Sequence, residues 1–224
     1  MIVEAGREAV ILLHHARSAW PIVAARAYSR CMPGLSFTQH VMAIERIEQR
    51  LRRVTGALDR AGIRYAVVGG NAVASWVGRV DPSATRATKS IDLLVRRADL
   101  ECITSTLIAL GLRREDLRGL VLFVDPAEPS RRSGVHLVFA DERVRPSYEF
   151  AAPSVEEAVR DPEGFLVLDL PALLRMKLTS SRDIDRVHVA DMLSIRLIES
   201  HVRSSLPPRL RERLDEIERS IPSD

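Results

Sequence analysis

Two neighbouring stretches decide the fold of this chain. The first runs Tyr65-Ala-Val-Val-Gly-Gly-Asn-Ala-Val-Ala-Ser-Trp-Val-Gly78, and the second runs Thr85-Arg-Ala-Thr-Lys-Ser-Ile-Asp-Leu-Leu-Val95. In the first, an apolar run ends at Gly69-Gly70, and a helix is expected to begin at Asn71, because an asparagine side chain can cap the first N–H groups of a helix. In the second, an apolar run carries one carboxylate, Asp92, in its middle. The order predicts a strand, a glycine turn, a helix and an acidic strand.

This order of elements suits a phosphate chain and a metal ion. Glycines let backbone N–H groups come close to phosphate oxygens, and a helix that starts at the turn adds the partial positive charge of its N-terminus. A carboxylate on the next strand, here Asp92, could then hold Mg²⁺ against the same phosphates.

The same residues resemble a known family. The paired glycines, the helix and the segment Thr85-Arg-Ala-Thr-Lys-Ser-Ile-Asp-Leu93 are similar to the signature of nucleotidyltransferases of the DNA polymerase β-like fold, in particular the small bacterial AbiEii-like toxin group. A second block, Leu173-Leu-Arg-Met-Lys-Leu-Thr-Ser-Ser-Arg-Asp-Ile-Asp-Arg-Val-His-Val-Ala-Asp191, resembles that group's C-terminal block, with a lysine on one helix and Arg-Asp at the start of the next. The resemblance covers roughly residues 41 to 220.

The resemblance implies both a fold and an activity. The fold would be α/β (α+β), with a mixed twisted sheet flanked by helices and a helical C-terminal part. The activity would be Mg²⁺-dependent transfer of a nucleotidyl group from an NTP to a hydroxyl of RNA, protein or a small molecule. A toxin of a toxin–antitoxin or phage-defence system is the implied setting, with tRNA or a protein antitoxin as candidate partners.

The resemblance also implies roles for individual residues. Asp92 would hold the metal ion, and Lys177 would bind the triphosphate or the charge that develops during transfer. Arg182 and Asp183 would brace that lysine. The implied nucleotide-binding set is Gly69, Gly70, Asn71, Arg86 and Lys177.

One position departs from the family pattern. Where the pattern has Asp-x-Asp, this chain reads Ser90-Ile91-Asp92. Residues two apart on a strand share a face, so Ser90 and Asp92 would both face the metal ion, but a hydroxyl brings only a dipole where a carboxylate brings a full charge. Three interpretations stay open: an active enzyme, a catalytically impaired member, and a nucleotide-binding or toxin–antitoxin interaction protein.

The strand expected at residues 134–139 carries His136 where this superfamily often has a third acid. A histidine titrates near neutral pH, so His136 is a candidate for the general base that activates the attacking hydroxyl. Asp141 and Glu142, just beyond the strand, are weaker candidates for the same role.

Composition narrows the class of protein. The chain has 224 residues, of which 46% are hydrophobic and 28% are charged, and its formal net charge is +3. No apolar run approaches the roughly 20 residues that span a bilayer, so we expect a cytoplasmic protein without a membrane segment. Only two of the 33 basic residues are lysines, Lys89 and Lys177, and each lies in one of the two family-like blocks.

The chain divides into three parts by pattern. Residues 1–37 predict a helical extension whose status the sequence leaves open, residues 38–205 the nucleotidyltransferase-like domain, and residues 206–224 a charged amphipathic tail that could serve as a partner surface. One long helix is expected from Arg182 to Ser200. On it Asp185, His188 and Asp191 are spaced three apart, which we interpret as a solvated or salt-bridged face in preference to a metal site. Acceptor, preferred NTP and oligomeric state stay open.

Overall fold

Seven strands form one mixed sheet in the computed structural model, which describes residues 37–117 and 119–222. In chain order the strands are β1 (Tyr65–Val68), β2 (Ile91–Val95), β3 (Arg113–Leu117), β4 (Leu120–Val124), β5 (Val135–Phe139), β6 (Ala158–Arg160) and β7 (Leu166–Leu168). Across the sheet they follow the order β3-β4-β5-β2-β1-β7-β6. The predicted extension at residues 1–37 lies outside the described residues, apart from its last residue.

Helices flank this sheet and form the C-terminal part, as predicted. They are α1 (Phe37–Arg60), α2 (Gly69–Gly78), α3 (Leu100–Ala109), α4 (Leu170–Ser180), α5 (Asp183–Ser194), α6 (Ser200–Ser205) and α7 (Pro208–Ser220). In the described ranges, no helix combines the length and the apolar character needed to cross a bilayer. Residues Ala43–Asp224 form one compact unit, which includes the C-terminal helix.

The register of three central strands decides which side chains meet. Strand β2 runs antiparallel to β1, with Asp92 opposite Val68, and parallel to β5, with Asp92 beside His136. All four residues of β1 and all but Asp92 of β2 are buried, because both strands read as continuous apolar runs and lie inside the sheet. Asp92 is therefore a polar position in a buried strand, between the end of β1 and a histidine.

Helix α4 begins at residues that favour a helix start. Asp169 caps it by accepting a hydrogen bond from the Ala172 N–H at 2.8 Å, and Pro171 lies in the first turn, where its missing N–H costs nothing. Leu173, Leu174 and Leu178 are buried against the core, and this burial fixes the rotation of the helix. The same rotation of α4 buries the side chain of Lys177.

The C-terminal helix α7 is not free to serve as a partner surface through its apolar face. Leu210, Leu214 and Ile217 on that face are buried within the compact unit. Arg213 adds a hydrogen bond from Nη1 to the carbonyl oxygen of Leu178 at 2.9 Å. The tail therefore supports α4, the helix that carries Lys177.

Two predicted helices differ from the structure, and one strand was not predicted. Helix α2 begins at Gly69 instead of Asn71. The helix expected to continue to Ser200 ends at Ser194, and Arg196 just beyond has a left-handed φ of 56°. Strand β3 was not predicted, because its sequence Arg-Arg-Glu-Asp-Leu lacks an apolar face; it lies at the sheet edge, where charged side chains discourage pairing with other chains.

Candidate active site

The turn between β1 and α2 packs its backbone directly on the acidic strand. Gly69 has φ +68°, and a Cβ at this position would lie 2.1 Å from Oδ2 of Asp92. A Cβ at Gly70 would lie 2.7 Å from Cγ2 of Thr88. A Cβ at either position would force the neighbouring side chain to shift, and the positive φ of Gly69 also favours glycine there.

Asn71 does not cap the helix, contrary to the prediction. Its Nδ2 donates to the carbonyl oxygen of Ser90 at 2.7 Å, and its Oδ1 accepts from the hydroxyl of Thr88 at 2.8 Å. These two bonds tie α2 to the segment that enters β2. Both ends of the Asn71 amide are thus used within the fold, whereas the sequence predicts Asn71 as a nucleotide-binding residue.

Ser90 and Asp92 face the same side of β2, as their spacing predicts. The Ser90 hydroxyl lies 3.5 Å from Oδ2 of Asp92, and about a quarter of the Asp92 side chain is exposed. The two oxygens that would meet a metal ion are thus one carboxylate oxygen and one neutral hydroxyl.

His136 is held between two groups that can only accept hydrogen bonds. Its Nδ1 lies 3.1 Å from Oδ1 of Asp92, and its Nε2 lies 2.8 Å from the carbonyl oxygen of Arg131. The hydrogen bond to Asp92 raises the pKa of His136, against the effect of burial. A ring that donates to both of these acceptors has no lone pair left to take a proton from a hydroxyl. This geometry argues against the predicted role of His136 as a general base.

The two weaker candidates for a base are also placed. Glu142 forms a two-pronged ion pair with Arg97, at 2.5 Å and 2.6 Å. Asp141 is exposed, with a positive φ of 62°. The Glu142 carboxylate is thus engaged by Arg97, although Glu142 and Asp92 line one cavity.

Lys177 is buried in a polar cluster between α4 and α5. Its ammonium donates to Oδ1 of Asp185 at 2.9 Å and lies 3.0 Å from Nδ1 of His188. The side chains of Lys177 and Asp185 are 5% and 1% exposed. A buried lysine of this kind needs both a counter-charge and hydrogen-bond acceptors, and α5 supplies both within one turn.

Asp185, not Asp183, braces Lys177. Arg182 donates to Asp185 from Nε at 2.7 Å, and the Ser180 hydroxyl donates to it at 2.5 Å. Burial alone would raise the pKa of Asp185, but the hydrogen bonds and the charges of Arg182 and Lys177 outweigh burial and hold that pKa well below its usual range. The sequence predicts that Arg182 and Asp183 brace the lysine. Arg182 bonds to Asp185, which bonds to Lys177, and Asp183 is exposed at the start of α5.

Arg86 is engaged elsewhere than at the glycine turn. Its guanidinium forms two hydrogen bonds to the carboxylate of Asp191, at 2.5 Å and 2.9 Å. The predicted contact of Arg86 with phosphates would require this ion pair to open. Asp191 belongs to the spaced trio on α5, which is salt-bridged as predicted but is not solvated, because Asp185 and His188 are buried.

One cavity of about 720 Å³ brings the remaining groups together. It is lined by Gly69, Asp92, His136, Lys177 and Arg182, among others. Its lining also includes arginines and aromatic rings, namely Arg97, Arg143, Arg145, Tyr148 and Phe150. Its volume is within the usual range for small-molecule and cofactor sites. The groups come from β1–α2, β2, β5, α4 and α5, so only the folded chain assembles them.

Comparison with known proteins supports this architecture. No family model and no curated protein sequence matches the chain. Among solved structures, the crystal structure of ANT(2'')-Ia in complex with adenylyl-2''-tobramycin aligns with a TM-score of 0.50 at 16% identity, over 79% of this chain and 98% of that one. An antigenic nucleotidyltransferase-like protein from Paracoccidioides brasiliensis aligns with a TM-score of 0.51 at 15% identity, over 78% and 88%.

The chain has a nucleotidyltransferase-like fold. At these identities the comparison establishes the fold alone, and the fold class predicted from the sequence is confirmed.

The side chains fit one Mg²⁺ ion and do not fit two. Magnesium is commonly held by one or two carboxylates together with substrate phosphates and water, and Asp92 with the Ser90 hydroxyl matches the smaller set. A two-metal site needs bridging carboxylates. Over residues 37–117 and 119–222, no group of three or more His, Cys, Asp or Glu side chains is placed to hold a metal. Any magnesium here would depend on the phosphates for its remaining ligands.

Gly69→Ala tests the close contact at the turn. We expect it to cost clearly more stability than Gly62→Ala, because Gly62 has nearly the same φ, +66°, but open space around it. The Gly62 variant should lose about 1 to 2 kcal/mol from the left-handed backbone alone. Urea unfolding measures both. Equal losses would show that Asp92 yields without cost to a side chain at position 69.

Asp185→Asn tests whether the buried carboxylate stabilises the protein through Lys177. Asp183→Asn is the matched change at an exposed carboxylate. We expect a loss of about 3 kcal/mol at neutral pH for Asp185→Asn, because Lys177 loses its counter-charge, and less than about 1 kcal/mol for Asp183→Asn. The pKa of Asp185 is lowered by folding, so its contribution is present above its ordinary value of about 4 and fades below it. The difference in unfolding free energy between the wild type and Asp185→Asn should therefore shrink from pH 7 to pH 3. Similar losses for Asp185→Asn and Asp183→Asn would contradict this prediction.

Proposed function

We propose that the chain binds a nucleoside triphosphate in this cavity and transfers its nucleotidyl group to a hydroxyl acceptor. The observation that carries the proposal is that Gly69, Asp92 and Lys177, from three distant parts of the chain, line one cavity. A phosphate chain needs backbone N–H groups, positive charge and a cation site within a few ångströms of each other.

The proposed position of the triphosphate follows from the charges. Helix α2 begins at Gly69 and Gly70, and the first N–H groups of a helix have no partner inside it. Gly69 lines the cavity. Lys177 supplies an ammonium from the side of α4. Arg182 lines the same cavity and is about half exposed, so it can contact an anion while it remains bonded to Asp185.

The proposed reaction needs little covalent chemistry from the protein. The acceptor oxygen forms a bond to the α-phosphorus, the bond between that phosphorus and the oxygen bridging to the β-phosphate breaks, and pyrophosphate leaves with the electron pair. The hydroxyl proton passes to solvent. The protein's part is to hold the phosphates in line and to offset their charge. Mg²⁺, held by Asp92 and Ser90, would supply further charge neutralisation on the phosphates.

A structural neighbour supports this class of reaction. The crystal structure of ANT(2'')-Ia contains adenylyl-2''-tobramycin, an adenylylated small molecule. In this chain, RNA, protein and small molecules all remain candidate acceptors. The two family-like blocks favour an AbiEii-like toxin, with an antitoxin as the protein partner and phage defence or a toxin–antitoxin pair as the setting.

A second candidate function is nucleotide binding without transfer. Two observations favour it: Ser90 replaces an expected carboxylate, and the remaining carboxylate Asp92 is already paired with His136. Loss of one preorganised electrostatic group typically costs about 3 to 4 kcal/mol of transition-state stabilisation, or two to three orders of magnitude in rate. A sensor or a toxin–antitoxin interaction protein could tolerate that loss.

Transfer of label from α-³²P-NTPs to tRNA, protein and small-molecule acceptors separates the two functions. We expect transfer by the wild type and by Ser90→Asp, faster in the variant by about two orders of magnitude, because a second carboxylate adds a full charge to the metal site. Asp92→Asn serves as the inactive control. Transfer only by Ser90→Asp would identify an impaired member, and NTP binding without transfer in either would support the binding function.

A further inference from the structure

His188 lies next to the candidate site without lining it. It is one turn after Asp185 on α5, and its side chain is buried with 8% exposed. Its Nδ1 is 3.0 Å from the ammonium of Lys177, and its Cε1 is 3.8 Å from the Cβ that a side chain at Gly70 would have. The ring therefore fills the space between the glycine turn and the lysine.

The partner of His188 fixes its protonation state. An ammonium group has three N–H donors and no lone pair, so Nδ1 of His188 must accept, and its proton lies on Nε2. Burial lowers the pKa of His188 to about 4, and the positive charge of Lys177 acts in the same direction. Asp185 and Asp191 oppose this shift, while Arg86 adds to it. The ring is thus a neutral acceptor at physiological pH.

The acceptors on α5 determine where the ammonium of Lys177 points. Asp185 takes one N–H at 2.9 Å and His188 takes a second at 3.0 Å. Because the three N–H bonds are tetrahedrally arranged, fixing two directions also fixes the third. Within the described residues the ammonium makes no third hydrogen bond, and Lys177 lines the cavity.

Charge explains why the second acceptor is a histidine. Asp185 already receives Arg182 as well as Lys177, so one carboxylate faces two cations. This cluster keeps one net positive charge as long as the remaining acceptor is neutral. A carboxylate at position 188 would cancel that charge, and an apolar residue would leave one buried N–H without a partner.

We propose that His188 is a positioning residue that aims the Lys177 ammonium into the cavity and preserves its positive charge for an anionic ligand. The ligand is the triphosphate of an NTP, a step that rests on the function proposed above. His188 acts through Lys177 and does not itself touch the substrate.

The two lysines of the chain allow a direct test without nucleotide. With ¹⁵N-lysine labelling, the side-chain NMR spectrum should contain two ammonium signals, from Lys177 and the exposed Lys89, and Lys89→Arg assigns them. We expect slow hydrogen exchange for Lys177 in the wild type, fast exchange in His188→Leu, and recovery in His188→Asn, whose Oδ1 can replace Nδ1 as the acceptor. An unchanged Lys177 signal in His188→Leu would overturn the proposal and leave His188 as packing only.

Nucleotide affinity gives the second readout, by calorimetry with ATP and GTP in the presence of Mg²⁺. We expect His188→Leu to bind about tenfold more weakly than the wild type, and His188→Asn to recover most of that loss. His188→Asp has the shape of the Asn variant but adds a negative charge, so it should bind more weakly still. Urea unfolding of each variant separates loss of folding from loss of binding.

The outcomes distinguish this proposal from the function on which it rests. If the wild type binds no NTP, the proposed function fails, and the NMR exchange data alone decide whether His188 orients Lys177. If the wild type binds NTP and His188→Leu binds equally well, the cavity is a nucleotide site and the positioning proposal is wrong.

Discussion

The backbone of Gly69 lies directly against the carboxylate of Asp92, and the rest of the site depends on that contact. It exists because β1 and β2 are neighbours in a register that places Asp92 opposite the last residue of β1. A Cβ at Gly69 would lie 2.1 Å from Oδ2 of Asp92, so the first turn of α2 and the carboxylate share one small space. A ligand that enters this space meets backbone donors and an acid at once.

A phosphate chain in that space would also need a positive charge, and the protein provides it from a buried position. Burying an ammonium is costly unless it is paired and hydrogen-bonded, and α5 meets both needs for Lys177 through Asp185 and His188. An exposed lysine would serve solubility without this cost of burial. Helices α4 and α5 are therefore organised around Lys177, as the turn between β1 and α2 is organised around Gly69 and Gly70.

Much of the fold was predictable from the sequence, because its signals are local. Paired glycines after an apolar run, a proline in the first turn of α4 and the spacing of apolar residues in α1 all act within a few positions. Strand β3 was missed because its residues are charged along its whole length, and the early end of α5 because a left-handed residue, Arg196, follows it. Neither feature has a local apolar pattern.

The partners within the site were harder to predict, because they depend on tertiary contacts. Asn71 looked like a helix cap and instead binds the segment before β2. His136 looked like a base, but its two neighbours are both acceptors, and that is visible only once β2 and β5 are paired. The spacing of Asp185 and His188 indicated a shared helix face; it gave no sign that Lys177 lies against it.

Calorimetric titration of NTP and Mg²⁺ into Lys177→Met, with Lys89→Met as the control, tests whether the buried ammonium binds the triphosphate. These are the two lysines of the chain, one lining the cavity and one exposed. We expect Lys177→Met to bind at least about tenfold more weakly, because a charge-assisted hydrogen bond is lost. Lys89→Met should bind with wild-type affinity, and both variants should fold. Wild-type affinity in a folded Lys177→Met variant would contradict it.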